Sequence, residues 1–363
     1  MTVMTTDHGG AGAGGAAPST PNHGEPPTFF ETHHDLARLP YFELLGPGRL
    51  ALADPELGPA VDVHTHLALA YLLPMQIDLS RERPRTEHYL SMDEPVDLEI
   101  YANQNFPASG LRQMKRDLTL LSVTARGMRR THTVPNLLRE MRDLRIERSV
   151  LLPIDLPLVS QNARTYLEVT RPHAEIVCFG SVHPLSLDLA GKLDAQKAAG
   201  ARGVKVHPAA QMIRPDHPRA MKLYRLCGER GLIVLFHCGP VGIEPRPGRR
   251  RSQVRLYQPA VAENPDTIFI LGHAGALQFD LALELAHRYP NVWLETASQS
   301  LPVVRRMVSE APPDRILFGS DWPFYSQAMA LSKALIATEG NEPARRRLLH
   351  ENAARLLDLP GQP

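Results

Sequence analysis

The 363-residue chain carries 40 Lys and Arg against 39 Asp and Glu, giving a formal net charge of +1 and a pI near 7.9. That length suits one large domain or two ordinary ones, and the near-neutral balance offers no broad electrostatic basis for binding nucleic acid or an acidic membrane. No apolar run approaches the roughly 20 residues that span a bilayer, and Cys178, Cys227 and Cys238, without zinc or redox spacing, read as reduced thiols of a cytoplasmic protein.

Residues 1–27 are rich in Gly, Ala and Pro and hold almost nothing to bury, so a disordered tail is expected there, without the features of a secretory signal. Gly10-Ala11-Gly12-Ala13-Gly14-Gly15 matches a G-x-G-x-x-G pattern, but no strand precedes it and no helix follows, which excludes a dinucleotide site. Residues 28–60 are apolar enough to form an entry segment packed on the main domain, which is expected over 61–358. That domain opens with Val61-Asp62-Val63-His64-Thr65-His66, a β-branched run ending in two histidines. Strand alternation puts His64 and His66 on one face, with Asp62 on the same face one step deeper. From there Asp62 can orient an imidazole or serve as a buried cap. Two imidazoles at a strand end can grip one metal ion, and a metal site needs further ligands.

Residues 67–133 read as irregular, with Pro74, Pro84, Pro95 and Pro107 and one helix-like piece over 110–130. So long a segment after the first strand is expected to cover the site as a lid or binding loop. Its Tyr71, Tyr89, Tyr101 and Phe106 could line a pocket or form the contact of an expected homodimer.

A regular pattern follows. Helices are predicted over 134–145, 161–171, 187–199, 218–230, 254–263, 277–288 and 303–310, with two more reaching 358. Strands are predicted over 149–154, 176–182, 203–207, 232–237, 267–273, 292–296 and 315–321, and residues 245–251 read as a basic loop. Apolar runs alternating with helices imply a parallel sheet covered on both faces. About eight such units in roughly 300 residues fit a distorted (β/α)8 TIM barrel with a long insertion after strand 1. A doubly wound open sheet is the alternative. The barrel is favoured because polar residues recur at strand tips: His64, His66, Asp155, His183, Lys205, His207, His237, His273, Glu295 and Asp321. In a barrel those tips converge on one mouth.

Several segments occur together in order: Asp62-Val63-His64-Thr65-His66, Gly203-Val204-Lys205-Val206-His207-Pro208, Phe236-His237, Leu271-Gly272-His273-Ala274-Gly275, Phe318-Gly319-Ser320-Asp321-Trp322-Pro323-Phe324 and Asn352-Ala353-Ala354-Arg355-Leu356-Leu357. This set resembles the amidohydrolase superfamily, in particular its amidohydrolase-2 branch of metal-dependent hydrolases and decarboxylases. The resemblance implies a distorted TIM barrel with His64, His66, His237 and Asp321 as ligands of one divalent ion, Zn²⁺ being expected. It implies that Asp321 moves protons and that His273 contacts substrate or the attacking water. In two-metal members a strand-tip lysine, near whose place Lys205 lies, can be carbamylated and bridge the ions, and the residue matching His273 binds the second; Lys-x-His-Pro also occurs in one-metal branches, where Lys205 would be charge-paired or contact an anionic substrate. His207 could line the pocket or only hydrogen-bond a loop.

The implied activity is hydrolysis of an amide, lactone or ester of a small molecule. The alternative is non-oxidative decarboxylation of an aromatic or unsaturated acid, a lyase reaction, with Arg214 and Arg249 to Arg251 available for a carboxylate. Trp322, beside Asp321, is a further candidate for substrate contact. A barrel kept only as a binding scaffold would lack a reason for so many histidines to converge.

Overall fold

Eight parallel strands form where the eight apolar runs lie, in a computed structural model that describes residues 26–46, 48–156 and 160–359. They are β1 (Ala60–Thr65), β2 (Ile146–Leu151), β3 (Ile176–Cys178), β4 (Gly203–Val206), β5 (Ile233–His237), β6 (Phe269–Gly272), β7 (Val292–Glu295) and β8 (Ile316–Leu317). Strands β1 to β3 pair in order, and so do β4 to β8. Two parallel bridges join these arcs, Gly180 to Val204 and Thr65 to Trp322. Hydrogen bonds from Lys205 N to Gly180 O (2.8 Å) and from His66 N to Trp322 O (2.7 Å) seal the seams. The ring closes as a barrel, and the open sheet is excluded. The expected tail lies outside the described residues up to residue 25.

Alternation along the strands divides their side chains between two cores. Val61, Val63, Val150, Leu235, Trp293 and Leu317 belong to the cluster that fills the barrel. Val204, Val206, Phe236, Leu294 and Phe318 belong to the layer between strands and helices. Each buried Val, Leu, Ile or Phe side chain is worth about 1.5–3 kcal/mol. One step beyond the interior layer the same parity delivers His237 after Leu235 and Glu295 after Trp293 to the mouth.

The helices that cover the strands are α1 (Ala108–Leu118) and α2 (Val134–Asp143) before β2, α3 (Asn162–Thr170), α4 (Leu189–Ala198), α5 (Pro218–Gly228), α6 (Arg246–Arg251), α7 (Gln258–Glu263), α8 (Phe279–Arg288), α9 (Leu301–Glu310), α10 (Gln327–Ala337), α11 (Glu342–Arg346) and α12 (Asn352–Leu356). Ala353 of α12 and Leu357 just after it pack with the interior cluster. The expected basic loop over 245–251 contains α6 instead. Pro247 in its first turn has the fixed φ that a helix start accepts, with Pro245 as its N-cap. The helix-like piece after Gly110 ends at Leu118, because short 3₁₀ turns take over.

The 67–133 insertion is bound to the mouth by its own backbone. Tyr89 N donates to Pro323 O (3.1 Å), Leu90 N to Phe324 O (2.9 Å) and Ala102 N to Ser298 O (2.9 Å). Leu301 N donates to Leu98 O (2.7 Å). Val96–Asp97 pairs antiparallel with Phe29–Phe30, so the entry segment and the insertion hold each other.

Candidate metal centre

The geometry of β1 decides what its histidines can do. Asp62 pairs with Ser149, but Thr65 pairs with Leu151, so three steps on β1 face two on β2. One extra residue makes a β-bulge and resets the alternation. Asp62 therefore leaves the face of His64, which corrects the sequence expectation. Its carboxylate accepts from Ser320 N (3.0 Å), Ser320 Oγ (2.5 Å) and Gln327 Nε2 of α10 (2.8 Å), and from His64 N (3.1 Å). It orients no imidazole; it ties β1 to the turn that presents Asp321.

His64 and His66 are buried and held alike. His64 Nδ1 lies 2.9 Å from Glu295 Oε1, and His66 Nδ1 lies 2.7 Å from Leu152 O. Leu152 O only accepts, so His66 Nδ1 carries a proton, and His64 Nδ1 donates to Glu295 when that carboxyl is ionised; in a neutral ring so held, Nε2 keeps the lone pair. Those two Nε2 atoms lie 3.7 and 3.5 Å from Asp321 Oδ1. Ser298 Oγ donates to Asp321 Oδ2 (3.0 Å), fixing the carboxylate with its other oxygen toward the imidazoles. Donor atoms of His64, His66 and Asp321 fall within 4.8 Å of one another. A second such group joins His64, His273 and Glu295. There the His64–Glu295 contact is already a hydrogen bond, so the first group is the better cation site. Two imidazole nitrogens and one carboxylate suit Zn²⁺ or a similar divalent ion.

Glu295 is the residue that sequence reasoning placed at a tip but left without a role. Besides His64, its carboxylate accepts from His273 N and from Ala297 N (2.5 Å). A Cβ on Gly319 would stand 2.4 Å from Glu295 Oε2 and 3.0 Å from Cβ of His64, so only glycine leaves room for the pair. Burial pushes the Glu295 carboxyl up, against the two backbone donors and Lys205. The signal in the sequence was its place at the end of β7, two residues after Trp293.

The remaining tips sort into two sets. Lys205 Nζ lies 3.2 Å from His64 Nε2, so the lysine does converge on the centre. Burial lowers its pKa, against Asp321 and Glu295. His273 Nε2 lies 3.1 Å from His237 Nδ1, and the His273 ring sits 4.7 Å from that of His64. His207 stacks on His237 at 3.9 Å between centroids. His237 is thus one imidazole removed from the His64–His66–Asp321 group, and His207 stands beside it. Burial holds His64, His207 and His237 well below their ordinary pKa, and His273 down to about 4. Neutral rings are what metal coordination needs. Asp321 is pushed up by burial, but its interactions with His66, His273 and Lys205 outweigh this and keep it below the ordinary range.

The other candidates are spent elsewhere. Asp155 accepts from Asn162 N (2.6 Å) and Ala163 N (3.3 Å) at the start of α3. His183 uses both ring nitrogens, against Gln211 O (2.9 Å) and Leu185 N (3.2 Å). Arg214 is exposed and forked on Asp216 at 2.8 and 2.5 Å. Arg249 and Arg250 are exposed on α6. Trp322 is fully buried, its ring 6.1 Å from that of His132.

The backbone marks the same place. Eight non-glycine residues among those described have positive φ, and five are His273, Ala274, Ala276, Ser298 and Asp321. Such conformations gather where a site over-determines them.

The family profile described as Amidohydrolase (Amidohydro_2) matches residues 61–359, and the chain belongs to that family. No curated protein matches the sequence. Among solved structures, the chain is similar to an uncharacterised TIM-barrel protein from Bordetella bronchiseptica (16% identity, TM-score 0.56, covering 80% of this chain and 99% of that one). It is similar to a probable 2-pyrone-4,6-dicarboxylic acid hydrolase from Acinetobacter baumannii with citric acid bound (14%, 0.53, 83% and 99%). It is also similar to 2,6-dihydroxybenzoate decarboxylase from Rhizobium (17%, 0.51, 83% and 100%). At these identities the likeness is one of fold.

Proposed function

We propose that this member of the amidohydrolase family is a metal-dependent hydrolase that cleaves an amide, lactone or ester bond of a small molecule. The observation that carries the proposal is the pair of Nε2 lone pairs of His64 and His66 converging on Asp321, each imidazole fixed by an acceptor at its other nitrogen. These residues would hold one divalent ion, with His237 as the adjacent further donor. When bound, such an ion supplies Lewis-acid activation of water and carbonyl.

The chain's own groups do the rest. Asp321 takes the proton of the attacking water at Oδ1 and delivers it to the leaving group. Ser298 keeps that carboxylate from rotating. Lys205 Nζ donates toward the oxygen on which negative charge develops, with His273 beside it, its Nδ1 turned to Ala297 O at 3.3 Å.

The decarboxylase reading uses the same donors and needs a cation to hold the substrate's carboxylate. Lys205 reaches the centre, whereas Arg214 is paired with Asp216 and Arg249 and Arg250 are exposed. This favours hydrolysis.

The test is metal content per chain in protein purified without added metal, with a His64→Ala, His66→Ala double variant beside it. About one ion per wild-type chain, lost in the variant, is expected. A panel of esters and lactones followed by proton release, and of amides followed by amine release, is then run against aromatic acids followed by carbon dioxide release. Carbon dioxide release without hydrolysis of any panel member would replace the proposal with the lyase reading.

A further inference from the structure

The insertion brings one polar group to the mouth that the proposed chemistry does not use. Tyr101 lies in the middle of residues 67–133 and its side chain is 4% exposed. Its ring packs with Val241 and Ala276, on the loops after β5 and β6, with Ile243 against them. Its hydroxyl is buried and makes no hydrogen bond. Asp321, Glu295 and Tyr325 are close enough to act on it electrostatically, and Ser298 stands beside both phenols. Ser298 Oγ gives its one proton to Asp321 Oδ2, so it offers the phenols only lone pairs, and no contact of hydrogen-bonding geometry forms with Tyr101. A buried hydroxyl left unpaired is costly, and most find partners.

The position of this phenol is over-determined. Ala102 N, next in sequence, donates to Ser298 O at 2.9 Å. Tyr101 N donates to Gln104 Oε1 at 3.2 Å, and Asn103 Nδ2 to Val241 O at 3.0 Å. Tyr325 Oη donates to Asn103 Oδ1, so the second phenol at the mouth is spent on holding this segment. Leu301 N to Leu98 O closes the other end at 2.7 Å. A donor fixed by bonds from three directions, and itself unpaired, has the organisation of a binding group.

We propose that Tyr101 is the substrate-binding donor contributed by the insertion: its hydroxyl pairs with a carbonyl or carboxylate oxygen of a ligand whose compact apolar skeleton lies against Val241, Ala276 and Ile243. The inference rests on the mouth being the substrate site, as proposed above. It assigns the insertion a direct part in substrate choice. A ligand of the same shape without that oxygen leaves the phenol unpaired and is rejected.

Tyr101→Phe removes the oxygen and keeps the ring that packs on the loops. Benzoate serves as the probe, an apolar ring with a carboxylate. Its binding is measured by calorimetry to wild type and variant, each with and without added Zn²⁺, alongside metal content and thermal midpoint. The expected result is five- to fifty-fold weaker benzoate binding in Tyr101→Phe, with metal content unchanged and a midpoint that does not fall. Equal affinity for the two proteins, or no benzoate binding by the wild type in either form, overturns the inference. Wild-type protein that takes up no Zn²⁺ yet still binds benzoate through Tyr101 sinks the metal-dependent reading and leaves this one standing. Normal metal uptake with no loss of benzoate affinity in the variant does the reverse.

Discussion

His183 beyond β3 and His66 at the end of β1 are both buried histidines past a strand tip, yet their nitrogens are used differently. His183 hands one nitrogen to Gln211 O and the other to Leu185 N, so nothing is left for a ligand. His66 hands Nδ1 to Leu152 O and keeps Nε2 free toward Asp321. Asp155 and Asp321 make the same contrast among carboxylates. The first is absorbed by two backbone N–H groups of α3, the second by one serine hydroxyl that leaves an oxygen open. One arc of the mouth is thus closed by local backbone bonds and the other is kept open by partners that satisfy only half of each group. Residue type at a strand tip does not separate them; the accounting of each polar atom does.

The sharpest way to break the contrast is to remove the open arc. His64→Ala with His66→Ala is expected to abolish metal retention, whereas His183→Ala should leave metal content at the wild-type value. Elemental analysis of the three proteins decides it. Retention by the double variant would mean that the cation site lies elsewhere. Asp321→Asn should keep the fold and lower turnover by about 10²-fold or more, the scale of a lost proton acceptor.

The next effect in size concerns the group behind the ligands. Glu295→Gln keeps the shape but can offer its amide N–H to His64 Nδ1, which unsettles the tautomer that leaves Nε2 unprotonated. Metal affinity should fall about 10–100-fold, read as a shift in the Zn²⁺ concentration that restores occupancy after chelation. An unchanged affinity would reduce Glu295 to a packing element.

These residues also show what was legible beforehand. The eight βα units and the gathering of His64, His66, Lys205, His273 and Asp321 were legible, with His237 one imidazole further off, because apolar runs and the polar residues ending them are one-dimensional signals. Asp62 was misplaced because strand alternation is exact only without a bulge, and the extra residue between Asp62 and Thr65 leaves no mark in composition. Glu295 went without a role because its function lies in contacts 22 and 231 residues away in sequence, to His273 and His64. Tyr101 could be named as aromatic surface but not aimed, since the insertion's path is set by bonds to Ser298, Pro323 and Phe324. Helix α6 was read as a loop because its arginines carry no apolar face.

A smaller effect tests the closed arc by pH. Burial raises the Asp155 carboxyl to about 7 from an ordinary 3.8, against the two backbone donors of α3. Between those values the folded chain holds a proton that the unfolded chain has released. Its contribution to stability therefore falls as pH rises from about 4 to about 7. Asp155→Asn removes the titration while one acceptor oxygen remains for α3. The variant's urea midpoint should lose less than the wild type's on going from pH 5 to pH 8. A weakened cap should cost it about 1 kcal/mol at the lower pH. Parallel midpoints across that range would show that Asp155 does not titrate there, and metal content should not change in either case.

The smallest expected effect is at Arg214, and its value lies in how little should happen. The guanidinium is exposed, paired bidentately with Asp216, and outside the hydrogen-bond network that joins Lys205, His64, Glu295 and His273. Exposed ion pairs of this kind contribute little. Arg214→Ala should therefore leave metal content, turnover and thermal midpoint at wild-type values. A fall in turnover with metal intact would be informative beyond its size. It would mean that the loop after β4 swings Arg214 off Asp216 and onto a substrate carboxylate. The decarboxylase reading would then regain the cation it lacks, and the boundary between the two arcs would depend on ligand binding and not on the resting hydrogen bonds.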